Sequence, residues 1–230
     1  MDVTGGQQPS VPGAFAAQMA CGEPFALGQL TLRLEETGLA VIAGPGTGDD
    51  EVLATPDALR ERVRHDERGR YRPLSGAKSM PGGWFARVVP NALPGALEAL
   101  YPLALEHIAA AERGELRIVP LDQVLERQAG RYRAAAQLDV EGRDVASEVL
   151  CRGCVRVPVW RGVSASATAD SAVLSIPCPE PCSVLVSLCR EAALWQQSPP
   201  ASTAASPDIA FAAFETPGNE VREAYLAARQ

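Results

Sequence analysis

The chain has 230 residues, enough for one or two hydrophobic cores, and 47% of them are hydrophobic, which excludes a disordered chain. A net charge of −7 repels a phosphate backbone, so nucleic acid is not the expected partner. No stretch reaches the roughly 20 apolar residues of a membrane helix, and Met1–Phe15 shows neither a basic nor an apolar leader pattern, so a cytoplasmic chain with no membrane partner is expected.

Residues 1–22 are rich in Gly, Gln, Pro and Ala and read as a disordered lead-in, with Cys21 an incidental thiol. Order is expected from Phe25. Leu30, Leu32 and Leu34 alternate with polar residues, the period of a half-buried strand. Glu36-Thr37-Gly38 supplies a turn, and Leu39–Ala43 the returning strand of a hairpin. Gly44-Pro45-Gly46-Thr47-Gly48 lacks the Gly-Lys-Ser/Thr ending of a phosphate loop and reads as a turn.

Thr55 and Pro56 open a charged helix running to about Arg68. His65 falls on its solvated face. Tyr71–Trp84, with two prolines and three glycines, forms no helix. It holds Arg72 and Lys78, the sole lysine, and is a connector or a ligand loop. Leu97, Leu100, Leu103, Leu105 and Ile108 make a helical stripe broken at Pro102, with His107 as a core residue. Gly114 ends it, a brief strand is expected over Leu116–Val119, and a helix from Pro120 to Leu138, interrupted at Gly130. Val155–Trp160 reads as an edge strand around Pro158. Ser183–Trp195 reads as an amphipathic helix, followed by a linker and a final helix over Glu220–Arg229.

Five of the six cysteines lie between residues 151 and 189. Cys151-Arg152-Gly153-Cys154 and Cys178-Pro179-Glu180-Pro181-Cys182 are two close pairs. Thiols two or three residues apart reach one metal centre without distorting the chain, and four of them suit either tetrahedral zinc or an iron–sulfur cluster. Without export, disulfides are not expected. Prolines beside Cys178 and Cys182 and a surrounding apolar shell lean towards a cluster, while a structural zinc site suits the spacing equally well. Cys189, seven residues after Cys182, either replaces Cys182 as a ligand or is a core residue, and its helical phase favours the core. Cys182 stands where the first amides of a helix stabilise a thiolate.

Several stretches in this order carry a resemblance: residues 68–78, Pro-Gly-Gly-Trp (81–84), Leu-Tyr-Pro (100–102), residues 126–132, Cys-Arg-Gly-Cys (151–154) and Pro-Glu-Pro-Cys-Ser (179–183). Together they resemble the C-terminal part of bacterial chelatase-related proteins, in which a sirohydrochlorin-chelatase-like module precedes a stabilising domain and a [4Fe–4S]-binding domain. The resemblance implies a stabilising α+β domain over residues 23–130, a small hairpin or sheet with packed helices. It implies a small cysteine-rich cluster-binding domain over 131–198, leaving 199–230 as linker and terminal helix. It implies one [4Fe–4S] cluster on Cys151, Cys154, Cys178 and Cys182. The chelatase module has no counterpart ahead of residue 25, so metal insertion is not carried over; a separate chelatase or redox protein is the implied partner.

Three functions follow as expectations. The first is a cytosolic cluster-binding accessory or electron-transfer protein serving tetrapyrrole or cobalamin metabolism. The second is an interaction protein with a purely structural zinc. The third is a tetrapyrrole-binding enzyme component using Arg72 and Lys78 against carboxylates. No acid–base pair or nucleophile arrangement supports catalysis in the sequence.

Overall fold

The computed structural model describes residues 11–48, 50–64, 82–164, 173–197 and 219–229. His65, Arg72, Lys78 and the linker over 199–207 lie outside the described residues. The chain is of mixed α+β class, as expected, and divides into two compact units: residues 1–117 with 155–157 and 164–178, and residues 118–154 with 158–163 and 179–230. Among the described residues no helix is long and apolar enough to cross a membrane.

The first unit is built on a sheet of short strands: β1 (Phe25–Leu27), β2 (Leu30–Leu34), β3 (Ala40–Ala43), β4 (Asp50–Glu51), β5 (Trp84–Val88) and β7 (Val173–Leu174), in the order β4-β5-β3-β2-β1-β7. The hairpin read from alternation is present: β2 and β3 pair antiparallel with Leu32 opposite Ile42. Alternation buries Leu30 and Leu32 and leaves Thr31 and Arg33 exposed. β1, β4, β5 and β7 were not foreseen, because two to five residues carry too few periods to be read. Helix α2 (Pro56–Arg64) starts as expected, its Ala58 N–H donating to the Thr55 hydroxyl at 3.3 Å. The stripe broken at Pro102 is two helices, α3 (Leu93–Leu100) and α4 (Ala104–Glu112), with Leu103 at a φ of 61° between them.

Two expectations about this unit are corrected. Residues 13–21 of the supposed disordered lead-in form helix α1 (Gly13–Cys21). Its Phe15 is buried edge-to-face against Phe25, centroids 5.7 Å apart, and its first two amides donate to the Glu112 carboxylate at 2.9 and 2.7 Å. A buried aromatic and an anion at the helix N-terminus outweigh a helix-poor composition. Leu116–Val119 is no strand: Ile118 is half exposed, and Pro120 removes the next donor.

The Gly-Pro-Gly-Thr-Gly loop is the turn expected of it, and it is packed backbone to backbone. Gly83 N–H donates to the Pro45 carbonyl at 2.7 Å, and a Cβ on Gly48 would stand 2.3 Å from the Gly83 carbonyl oxygen. The strand expected over Val155–Trp160 is shorter, β6 (Arg156–Pro158), and pairs with β8 (Ile176–Cys178) as a two-stranded sheet.

The second unit is helical. It contains α5 (Leu121–Glu126), a 3-10 segment (Gly130–Gln137), α6 (Val140–Cys151), α7 (Ser183–Gln197) and α8 (Asn219–Ala228). The helix expected from Pro120 to Leu138 therefore splits, and Gly130, at a φ of 57°, is the break. Leu185, Leu188, Cys189 and Ala192 repeat at helical spacing along α7, and their buried stripe is the centre of a core with Leu125, Leu138 and Ala146. α8 adds Tyr225, whose ring lies 5.6 Å from that of Trp195.

Candidate metal centre

None of the six cysteines is in a disulfide. α6 ends on Cys151, and the Cys154 N–H donates to the Cys151 carbonyl at 3.0 Å. Arg152-Gly153 is thus a tight turn that carries both thiols of the first pair at one corner of the second unit. α7 springs from Cys182, whose carbonyl accepts the Val186 N–H at 3.2 Å. The amides of the first helical turn have no intrahelical acceptor, and their dipole favours a thiolate on Cys182. Cys151, Cys154, Cys178 and Cys182 are all half-buried, neither lost in a core nor open to bulk water.

Cys178 is placed differently from the other three. It ends β8 in the first unit, and the second unit resumes at Pro179. Pro177, Pro179 and Pro181 are buried, and the fixed φ angles of Pro179 and Pro181 make the link from Cys178 to Cys182 stiff. The Pro179 carbonyl accepts the Val119 N–H at 2.9 Å, which ties the start of that link to the α5 side of the second unit.

Cys189 is fully buried in the α7 stripe, as its helical phase predicts. Burial pushes its thiol up to about 12, and the nearby Cys151 and Cys182 push in the same direction against Arg143. Cys189 is therefore a protonated core residue, close to both of those cysteines.

Among the described residues no group of three or more His, Cys, Asp or Glu side chains is drawn tightly enough to hold a single metal ion. A mononuclear zinc requires every sulfur about 2.3 Å from one ion. A cluster takes each thiolate on a different iron and spreads the sulfurs more widely. The donor set fits such a group: only soft thiols, half-buried, stiffened by proline and backed by the buried Leu150 and Leu185.

The comparisons with known proteins agree. Residues 18–113 match the family model of the DR2241 stabilising domain, and residues 113–191 match that of a 4Fe–4S iron–sulfur cluster binding domain. Together the two matches span residues 18–191, and over that stretch the chain is similar to proteins that carry these two domains. No curated protein sequence matches it. The crystal structure of DR2241 from Deinococcus radiodurans, a multi-domain protein with structural similarity to chelatases and two additional novel domains, matches with a TM-score of 0.67 and 29% identity. The match covers 78% of this chain but 41% of DR2241, so less than half of that relative has a counterpart here. The cofactor of the cluster-binding domain is an iron–sulfur cluster.

One feature of this domain escaped the sequence reading. A cavity of about 400 Å³ opens beside Cys182. It is lined by Val124 of α5, Gln128 just after it, Arg131 and Tyr132 of the 3-10 segment, Pro181, and Ser183, Val186 and Ser187 of α7. Arg131 Nη2 donates to the Tyr132 hydroxyl at 3.3 Å, and the guanidinium carbons of Arg131 and Arg190 lie 5.0 and 5.3 Å from the Tyr132 ring centre. The Ser187 hydroxyl and then Arg131 hold the Tyr132 phenol below its ordinary pKa, against partial burial. Arg131, Tyr132 and Ser183 fall inside the stretches that carry the family resemblance, which was the available signal. Nothing in their spacing indicates a cavity.

Proposed function

We propose that this chain is a cytosolic [4Fe–4S] accessory or electron-transfer protein, linked to tetrapyrrole or cobalamin metabolism, with Cys151, Cys154, Cys178 and Cys182 as the cluster ligands. The observation that carries the reading is the contrast among the thiols of the cluster-binding stretch. Four are half-buried at element ends, whereas Cys189 is sealed in the core. When bound, the cluster supplies a one-electron couple. The residues of the chain present the thiols, exclude water with Leu150 and Leu185, and offer first-turn amides towards the Cys182 sulfur, which together set the potential.

The tetrapyrrole link rests on the likeness of DR2241 to chelatases. In this reading a separate chelatase or redox protein is the partner, and Arg72 and Lys78 are the cations that meet tetrapyrrole carboxylates.

Anaerobic purification tests the assignment. The expected product is brown, carries about four irons and four sulfides per chain, and bleaches with dithionite. Cys→Ser at 151, 154, 178 or 182 is expected to lose the iron, and Cys189→Ala to keep it. Colourless protein with one zinc per chain overturns the cluster, and iron loss in Cys189→Ala overturns the ligand set. For the tetrapyrrole link, added sirohydrochlorin is expected to shift its absorption spectrum, with the shift lost in Arg72→Ala and Lys78→Ala; an unchanged spectrum sinks that part alone.

A further inference from the structure

The cavity beside Cys182 has the size of a ligand site, within the few hundred Å³ that such pockets occupy. Its lining is mixed in chemistry. Val124, Pro181 and Val186 offer apolar surface. Among them stand one guanidinium, from Arg131, and the hydroxyls of Tyr132, Ser183 and Ser187. No lining residue is acidic, so nothing in the wall neutralises a bound anion's partner or repels the anion itself.

We propose that this cavity binds a small organic monocarboxylate with an apolar body. A guanidinium forks onto a carboxylate through two N–H bonds, and hydroxyl donors complete the set. One lining cation matches one carboxylate charge. The three apolar residues give the body of the ligand a surface that inorganic phosphate does not use. Ser183 and Ser187 lie on the first two turns of a 15-residue helix, whose positive end adds to the attraction for an anion. The Tyr132 phenol, already polarised by Ser187 and Arg131, is a strong donor. Pro181 borders both the cavity and Cys182, so the bound acid sits one residue from a cysteine of the cluster-binding stretch. The inference does not depend on which cysteines hold the cluster.

Calorimetric titration of the full chain, purified without oxygen and at low salt, tests it with benzoate as the probe. One benzoate per chain is expected. Arg131→Gln, a change at an exposed side chain, is expected to weaken binding at least tenfold, and Val124→Trp, which fills the cavity, to abolish it. Both variants are checked for an unchanged far-ultraviolet circular dichroism spectrum. Inorganic phosphate is expected not to bind. Absence of benzoate binding overturns the proposal, as does equal affinity in folded Arg131→Gln, or phosphate binding as tightly as benzoate.

Discussion

Asp139 joins two ends of the cluster-binding domain with one carboxylate. Its Oδ1 accepts the Gly142 N–H at 2.6 Å, capping α6, and the Arg229 guanidinium of α8 at 2.8 Å. Arg229 first, and the Gly142 amide next, hold its carboxyl well below the usual carboxylate range. Because the folded pKa is depressed, the stability it contributes is present above the unfolded pKa near 4 and is lost as pH falls towards the folded value. Asp139→Ala is therefore expected to cost about 1 kcal/mol at pH 7, mostly the lost cap, since an ion pair with a half-exposed carboxylate adds little. Denaturant melts from pH 6 to pH 3 check this: the difference between Asp139→Ala and the parent should shrink on acidification, and a constant difference removes the carboxylate from the account. Asp139 was not legible as a cap, because the helical pattern after it is weak. Cys189 was legible, since its spacing from Leu185 and Ala192 is helical and apolar.

At the scale of elements, local close approaches decide where the first unit's strands turn. Gly28 has a φ of 61°, and a Cβ there would stand 3.0 Å from the Tyr101 hydroxyl, which in turn accepts the Gln29 N–H at 3.0 Å. Gly28→Ala is expected to destabilise by about 1–2 kcal/mol through the left-handed backbone and to loosen the Tyr101 contact. A melt unchanged within error argues against both. α1 is the larger surprise. Phe15→Ala is expected to cost about 3 kcal/mol, the range for emptying a buried aromatic site, and to make residues 13–21 exchange amide hydrogens at the rate of a free chain. Retained protection would show that Glu112 alone holds the helix. Neither effect is visible in a Gly- and Pro-rich composition, since Gly28 is constrained by Tyr101 and α1 is held by Phe25 and Glu112, all outside the local turn or helix.

For the molecule as a whole, two separate cores imply two separable stabilities. The first unit's core is built from β2, β3, β5, α3 and α4, and the second from α5, α6, α7 and α8. A cluster that binds the folded state alone adds its binding energy to the domain that holds it. Removing iron with a chelator is expected to lower the melting transition reported by Trp160 and Trp195, in the unit that holds Cys151, Cys154 and Cys182, more than that reported by Trp84, whose unit holds Cys178 alone of the four. Equal shifts in both mean that the units unfold as one.

Periodicity and residue chemistry by themselves determined the β2–β3 hairpin, the α3–α4 break, α7 and the four-cysteine pattern, because each is a local repeat or spacing that physics reads over a few residues. Tertiary structure alone decided that residues 13–21 are ordered, that residues 116–119 are not a strand, and that Arg131, Tyr132 and Ser183 enclose a cavity. Those outcomes rest on contacts between residues far apart in the chain, whose energies exceed local preference and leave no periodic trace in it.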